Sequence, residues 1–145
     1  MSDPQDLTLA WQRHAALLFS FTSFAGRRMK IGLAEVAALE QIQVAGELSP
    51  GALGIMLSMP SASVTALLDR LEGKKLIVRR PNPRDRRSML VSLTPIAMEK
   101  AGLDLLPVSE AMTSMAAAMT QEERAIVDCY LAAVNQCMAR QQASA

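Results

Sequence analysis

Eight cationic side chains crowd one short stretch of this sequence: Arg70, Lys74, Lys75, Arg79, Arg80, Arg84, Arg86 and Arg87, all within residues 61–95. Only three acids share it, Asp69, Glu72 and Asp85, so the stretch carries +5. The rest of the chain holds seven basic and eleven acidic residues, a net of −4. A local positive footprint in an otherwise acidic chain is suited to neutralising phosphates. Asp85 and Arg87 stand two residues apart. In a tight loop, a carboxylate and a guanidinium at that spacing can form a charge-assisted pair that fixes the cation's direction. Bond-making chemistry has no comparable support. His14 is the single histidine, and neither cysteines nor carboxylates cluster at metal-ligand spacing. No nucleophile elbow, P-loop or His-Glu-x-x-His motif occurs. The expectation is a non-enzyme without catalytic residues, metal or cofactor.

The cations need elements to aim them. Ser61-Ala-Ser-Val-Thr-Ala-Leu-Leu-Asp-Arg-Leu-Glu72 places Val64, Leu67, Leu68 and Leu71 at i, i+3, i+4 and i+7, one buried stripe of a helix. The opposite face presents Ser61, Ala62, Thr65, Ala66, Asp69 and Arg70. A short helix precedes it, opened by Ser49-Pro50, with Leu53, Met56 and Leu57 as its buried side. After it the period changes. Leu76-Ile77-Val78-Arg79-Arg80 and Met89-Leu90-Val91-Ser92-Leu93 read as two strands about a Pro- and Arg-rich loop, a hairpin with a cationic tip. Short helix, second helix and hairpin make a winged helix-turn-helix pattern. Its second helix can enter the major groove and its hairpin can reach phosphates or the minor groove.

Helices flank this centre. Asp3-Pro4 starts one that carries Leu7, Trp11, Ala15, Leu18, Phe21 and Ala25 at helical period and runs to about Met29. It holds four of the five aromatics, a composition suited to packing against a second chain. The next spans about 33–45, with Val36, Leu39 and Ile42 or Gln43 on one face and Gly46 at its end. Thr94-Pro95 opens another, expected to kink or break at Pro107, and Thr120 with Glu123 forms a capping box for the last. The whole of residues 1–145 reads as one mainly α chain. Within it, 33–95 form a winged helix-turn-helix lobe with a two-stranded β-hairpin wing. Residues 1–30 and 96–145 supply long N- and C-terminal dimerisation helices.

At 145 residues and half hydrophobic, the chain can bury a real core. Residues 15–26 form an uncharged apolar run of 12, short of the roughly 20 a membrane span needs. Cys129 and Cys137 sit eight apart on one helix and cannot bond each other within it. Two cysteines make no disulfide scaffold. A cytoplasmic protein without a membrane partner is the expectation.

The runs Leu67-Leu-Asp-Arg-Leu-Glu72, Leu76-Ile-Val-Arg-Arg-Pro81, Asp85-Arg-Arg87 and Val91-Ser-Leu-Thr-Pro95 resemble the MarR family of bacterial transcriptional regulators, most clearly over 33–95. The resemblance implies a homodimer that represses transcription from a pseudo-palindromic duplex operator, with a small lipophilic or phenolic effector able to release it. It implies DNA contacts from Ser61, Ser63, Thr65, Arg70, Lys74, Arg84, Arg86 and Arg87, with Arg87 in the minor groove and Asp85 holding its guanidinium. By analogy Phe21, Phe24 and Met29 are ligand-pocket candidates. Three positions depart from the family pattern. The helix at 61–72 offers no Arg or Lys before Arg70. Gly73 comes two residues before the usual closing glycine, where Lys75 stands, so the helix is expected to end at Gly73. Pro60 replaces a capping serine, leaving Ser58 or Ser61 to substitute. The bare helix also admits a rival reading, a winged-helix interaction module that no longer reads bases.

Overall fold

The computed structural model describes residues 3–85 and 87–143, with the side chains of 101–105 and 142–143 outside that description. In chain order the elements are α1 (Pro4–Met29), α2 (Leu33–Ala45), β1 (Glu47–Leu48), α3 (Pro50–Met56), α4 (Ser61–Gly73), β2 (Ile77–Pro81), β3 (Met89–Leu93), α5 (Pro95–Ala118) and α6 (Gln121–Ala143). They form two compact units, Met1–Ala101 and Gly102–Ala145. α1 packs on α2 within the first unit, and α5 starts in one unit and ends in the other.

The first unit is organised by α4. Val64, Leu67, Leu68 and Leu71, the stripe read from the sequence, are all buried. They meet Val36, Leu39 and Ile42 of α2, Leu53 of α3, and Leu76, Ile77, Val91 and Leu93 along the hairpin. Each such side chain removed from water contributes about 1.5–3 kcal/mol. Ile42, and not Gln43, is the inward residue of α2. On α3 the buried pair is Leu53 and Gly54, while Met56 faces out. Gly54 is required by approach: a Cβ there would lie 3.2 Å from the Met59 carbonyl and 3.3 Å from Val64 Cγ2. The two helices that meet at this turn are bent by 110°, within the range of helix-turn-helix pairs.

The wing is larger than the expected two-stranded hairpin. β2 and β3 pair antiparallel with Val78 opposite Ser92, and β1 adds to the free edge of β3 with Glu47 opposite Ser92. The order is β1-β3-β2. A two-residue strand has too little alternation to be read as one, and only the exposed edge of β3 completes it.

Three helix ends share one device. After α1, α3 and α4, the non-glycine residues Lys30 (φ 56°), Ser58 (φ 51°) and Lys75 (φ 59°) adopt the left-handed conformation. The following N–H groups of Ile31, Met59 and Leu76 return to the carbonyls of Gly26, Gly54 and Leu71 at 2.9, 2.9 and 3.0 Å. These are Schellman closures. The expectation that α4 ends at Gly73 holds, and Lys75 nevertheless takes the strained position two residues on. Neither Ser58 nor Ser61 caps α4, whose N-cap is Pro60, without a side-chain hydrogen bond. Thr94 does cap α5: its Oγ1 accepts from the Ala97 N–H at 3.1 Å and donates to the Lys75 carbonyl at 2.7 Å.

In the second unit, Thr120 and Glu123 form the capping box of α6, at 3.2 and 2.7 Å. Arg124 donates to the carbonyls of Met119 and Ala116 at the end of α5. Of the kink or break expected at Pro107, a break does not occur: the proline lies inside a continuous α5. Among the described residues no single helix is long and apolar enough to cross a membrane.

Candidate nucleic-acid interface

The outer face of α4 is polar, small and open. Ser61, Ser63 and Thr65 are exposed on its first turns. Thr65 Oγ1 donates to the Ser61 carbonyl at 3.0 Å, so its methyl group and oxygen lone pairs are what it offers outward. No side-chain hydrogen bond caps the first turn of α4.

The wing tip is a built loop. The Asn82 N–H donates to the Ser88 carbonyl at 3.0 Å and its Nδ2 to Ser88 Oγ at 2.9 Å, which closes the neck. Asn82 Oδ1 accepts the Arg84 N–H at 2.9 Å. Asp85 Oδ1 accepts the Arg87 N–H at 3.0 Å. Asp85 therefore does not hold the Arg87 guanidinium as expected. It folds the backbone that carries Arg87, the common local use of Asp in turns. Arg86 lies outside the described residues.

The cations divide into two groups. Four are engaged by carboxylates. Arg70 Nε lies 3.0 Å from Glu35 Oε1, and Lys74 Nζ lies 3.6 Å from Glu35 Oε2. Arg79 bridges from β2 to α4, 2.7 Å from Asp69 and 3.3 Å from Glu72. Arg80 pairs with Glu47 across the sheet. Among the described residues, Lys75, Arg84 and Arg87 have no carboxylate within ion-pair distance. The available positive charge is thus gathered at the wing and at the end of α4, beside first turns of α4 whose outer face carries no charge.

Glu35 is the residue the sequence reading missed. Only 5% exposed, it is the buried charged residue of the described core. Burial by itself raises a carboxyl pKa. Here the Gly32 N–H, the Arg70 hydrogen bond and the charges of Lys74 and Arg70 outweigh it and hold Glu35 below its usual range. Its signal was present, because Glu35 shares a helix face with Leu39 and Ile42 at i+4 and i+7. Arg79, with a side chain only 23% exposed, was read as one more wing cation.

The pocket candidates occupy separate settings. Phe21 and Phe24 stack tilted, with centroids 6.4 Å apart, and the Arg28 guanidinium lies 5.8 Å over Phe24. Met29 packs against the core of the first unit. Cys129 and Cys137 are free and exposed on α6.

A short supporting helix, an open polar helix across a tight turn, and a sheet with a cationic tip define a winged helix-turn-helix protein. Residues 31–89 match the model of the MarR family, and over this segment the chain resembles that family's winged-helix proteins. It is 28% identical over 109 residues to the uncharacterized HTH-type transcriptional regulator YcgE of Bacillus subtilis, covering 74% of this chain and 70% of that one. It is 40% identical over 67 residues to the multiple antibiotic resistance protein MarR of Salmonella typhimurium, covering 46% of each. Its fold is similar to that of a mutant MarR from Escherichia coli in complex with operator DNA, with a TM-score of 0.54, 25% identity and coverage of 92% and 99%.

Proposed function

We propose that this protein is a transcriptional regulator of the MarR family, a homodimer that binds a pseudo-palindromic duplex operator and represses transcription, with a small lipophilic or phenolic ligand able to release it. The observation that carries DNA binding is the pairing of the open Ser61-Ser63-Thr65 face with the uncommitted cations Arg84 and Arg87 on a hydrogen-bonded wing. The relative bound to operator DNA supports the same reading. On it, Arg87 enters the minor groove, Arg84 and Arg86 meet phosphates, and the serine and threonine side chains of α4 lie in the major groove. With no arginine on that helix before Arg70, discrimination rests on hydroxyl and methyl contacts and on DNA shape.

Dimerisation is supported by apolar side chains left on the surface of each unit: Leu17 at 70% and Phe19 at 64% on α1, Met115 at 62% on α5 and Ile126 at 69% on α6. Patches of this kind mark association surfaces. Ligand release would be a shift towards the dimer whose two α4 helices no longer match the groove spacing.

Selection of random duplex DNA on the purified protein, with sequencing of the retained pool, tests the proposal. An enriched palindrome with half-sites about one helical turn apart is the expected result. Retention without enrichment removes sequence reading. Failure to retain DNA at low salt replaces the regulator with a protein-interaction module.

A further inference from the structure

The electrostatics of the first unit turn on a residue outside the helix-turn-helix. Glu35 sits at the start of α2, buried, and gathers three groups. The Gly32 N–H donates to Oε2 at 2.7 Å, Arg70 Nε donates to Oε1 at 3.0 Å, and Lys74 Nζ stands 3.6 Å from Oε2. Lys74 Nζ also donates to the Lys30 carbonyl at 2.9 Å. The last turns of α4 are thereby tied to the α1–α2 junction through side chains from Arg70 and Lys74. Both cations had been expected on phosphates.

We infer that Glu35 is a positioning residue that withdraws Arg70 and Lys74 from phosphate binding, so that the net charge α4 shows to DNA is set from α2. The inference rests on the DNA-binding reading and refines it. A guanidinium whose Nε is hydrogen-bonded to a buried carboxylate is held in one direction, and its charge is compensated at 3.0 Å although the arginine side chain itself is 56% exposed. An ammonium that donates to a backbone carbonyl and stands 3.6 Å from that carboxylate has one of its three donors occupied and its charge paired. Counterion release counts only cations that replace salt ions on phosphates, so both drop out of that count. The compensation lasts because the carboxyl is held ionised by the same contacts.

The salt dependence of binding to mixed-sequence duplex DNA reads this count, and a merely structural role for Glu35 would not move it. Glu35→Gln keeps the shape and removes the charge, which frees two cations per protomer. Its log K against log salt is expected to steepen by up to about 1.8 per protomer relative to the native chain. Arg70→Gln and Lys74→Gln are expected to leave the native slope unchanged. They keep the test decisive even if Glu35→Gln fails to fold. A flatter slope in either cation variant, or an unchanged slope in a folded Glu35→Gln, overturns the inference while DNA binding stands. Absence of binding by the native chain at low salt overturns the DNA reading and this inference together.

Discussion

The Asp85 carboxylate accepts the backbone N–H of Arg87 at 3.0 Å, while among the described residues no carboxylate lies within ion-pair distance of the Arg87 guanidinium. The acid shapes the turn and the arginine reaches out from it. The two residues therefore answer differently to substitution. Asp85→Asn retains an oxygen that can accept the same N–H, so DNA affinity is expected to stay within about fivefold, the worth of an exposed ion pair. Arg87→Ala is expected to weaken binding about tenfold or more with the oligomeric state unchanged. Titration of duplex DNA by fluorescence anisotropy checks both. An Asn variant as weak as the Ala variant would restore a side-chain pair between them.

Lys75 occupies a left-handed position, at φ 59°, in the closure that ends α4. A side chain there costs on the order of 1–2 kcal/mol, and glycine removes most of that cost at some expense in unfolded-chain entropy. Lys75→Gly is expected to raise the thermal midpoint by about 3 °C. Lys75→Ala removes the same charge and keeps the Cβ, so it is expected to leave the midpoint near the native value. Thermal unfolding followed by circular dichroism separates the two. Equal gains in both variants would assign the effect to charge.

Glu35 predicts the acid limb of stability. Its carboxyl is more acidic folded than unfolded, held so by Gly32, Arg70 and Lys74 against the opposing pull of burial. The folded state then binds fewer protons than the unfolded state, and this contribution is complete above the unfolded pKa of about 4.3. It is lost as pH falls through that value and on through the folded one. Urea unfolding at a series of pH values, native against Glu35→Gln, is expected to show a gap in favour of the native chain at neutral pH. The gap should narrow below about pH 4.5. A gap independent of pH would mean that the carboxyl is not ionised in the fold.

Much of the architecture was legible in the sequence because it depends on local period and capping. The stripe Val64, Leu67, Leu68 and Leu71 specifies which face of α4 is buried wherever the helix lies. Asp3-Pro4, Ser49-Pro50 and Thr94-Pro95 mark helix starts because capping is a contact between residues two or three apart. The +5 segment and its arginine-tipped hairpin are likewise properties of the chain read in order. What each charge does depended on partners far away in sequence. Glu35 meets Arg70 across 35 positions and Glu47 meets Arg80 across 33. Composition counts these cations as equal, and only packing separates engaged from available. The two-residue β1 exists because β3 offers it an edge, and Lys75 tolerates its backbone because burying Leu71 and Leu76 outweighs the strain. The sequence by itself determined the helices, the hairpin and the sign of the charge on this lobe. The tertiary structure decided which of those charges remain to face a ligand, because an ion pair is set by distance in space and not by order along the chain.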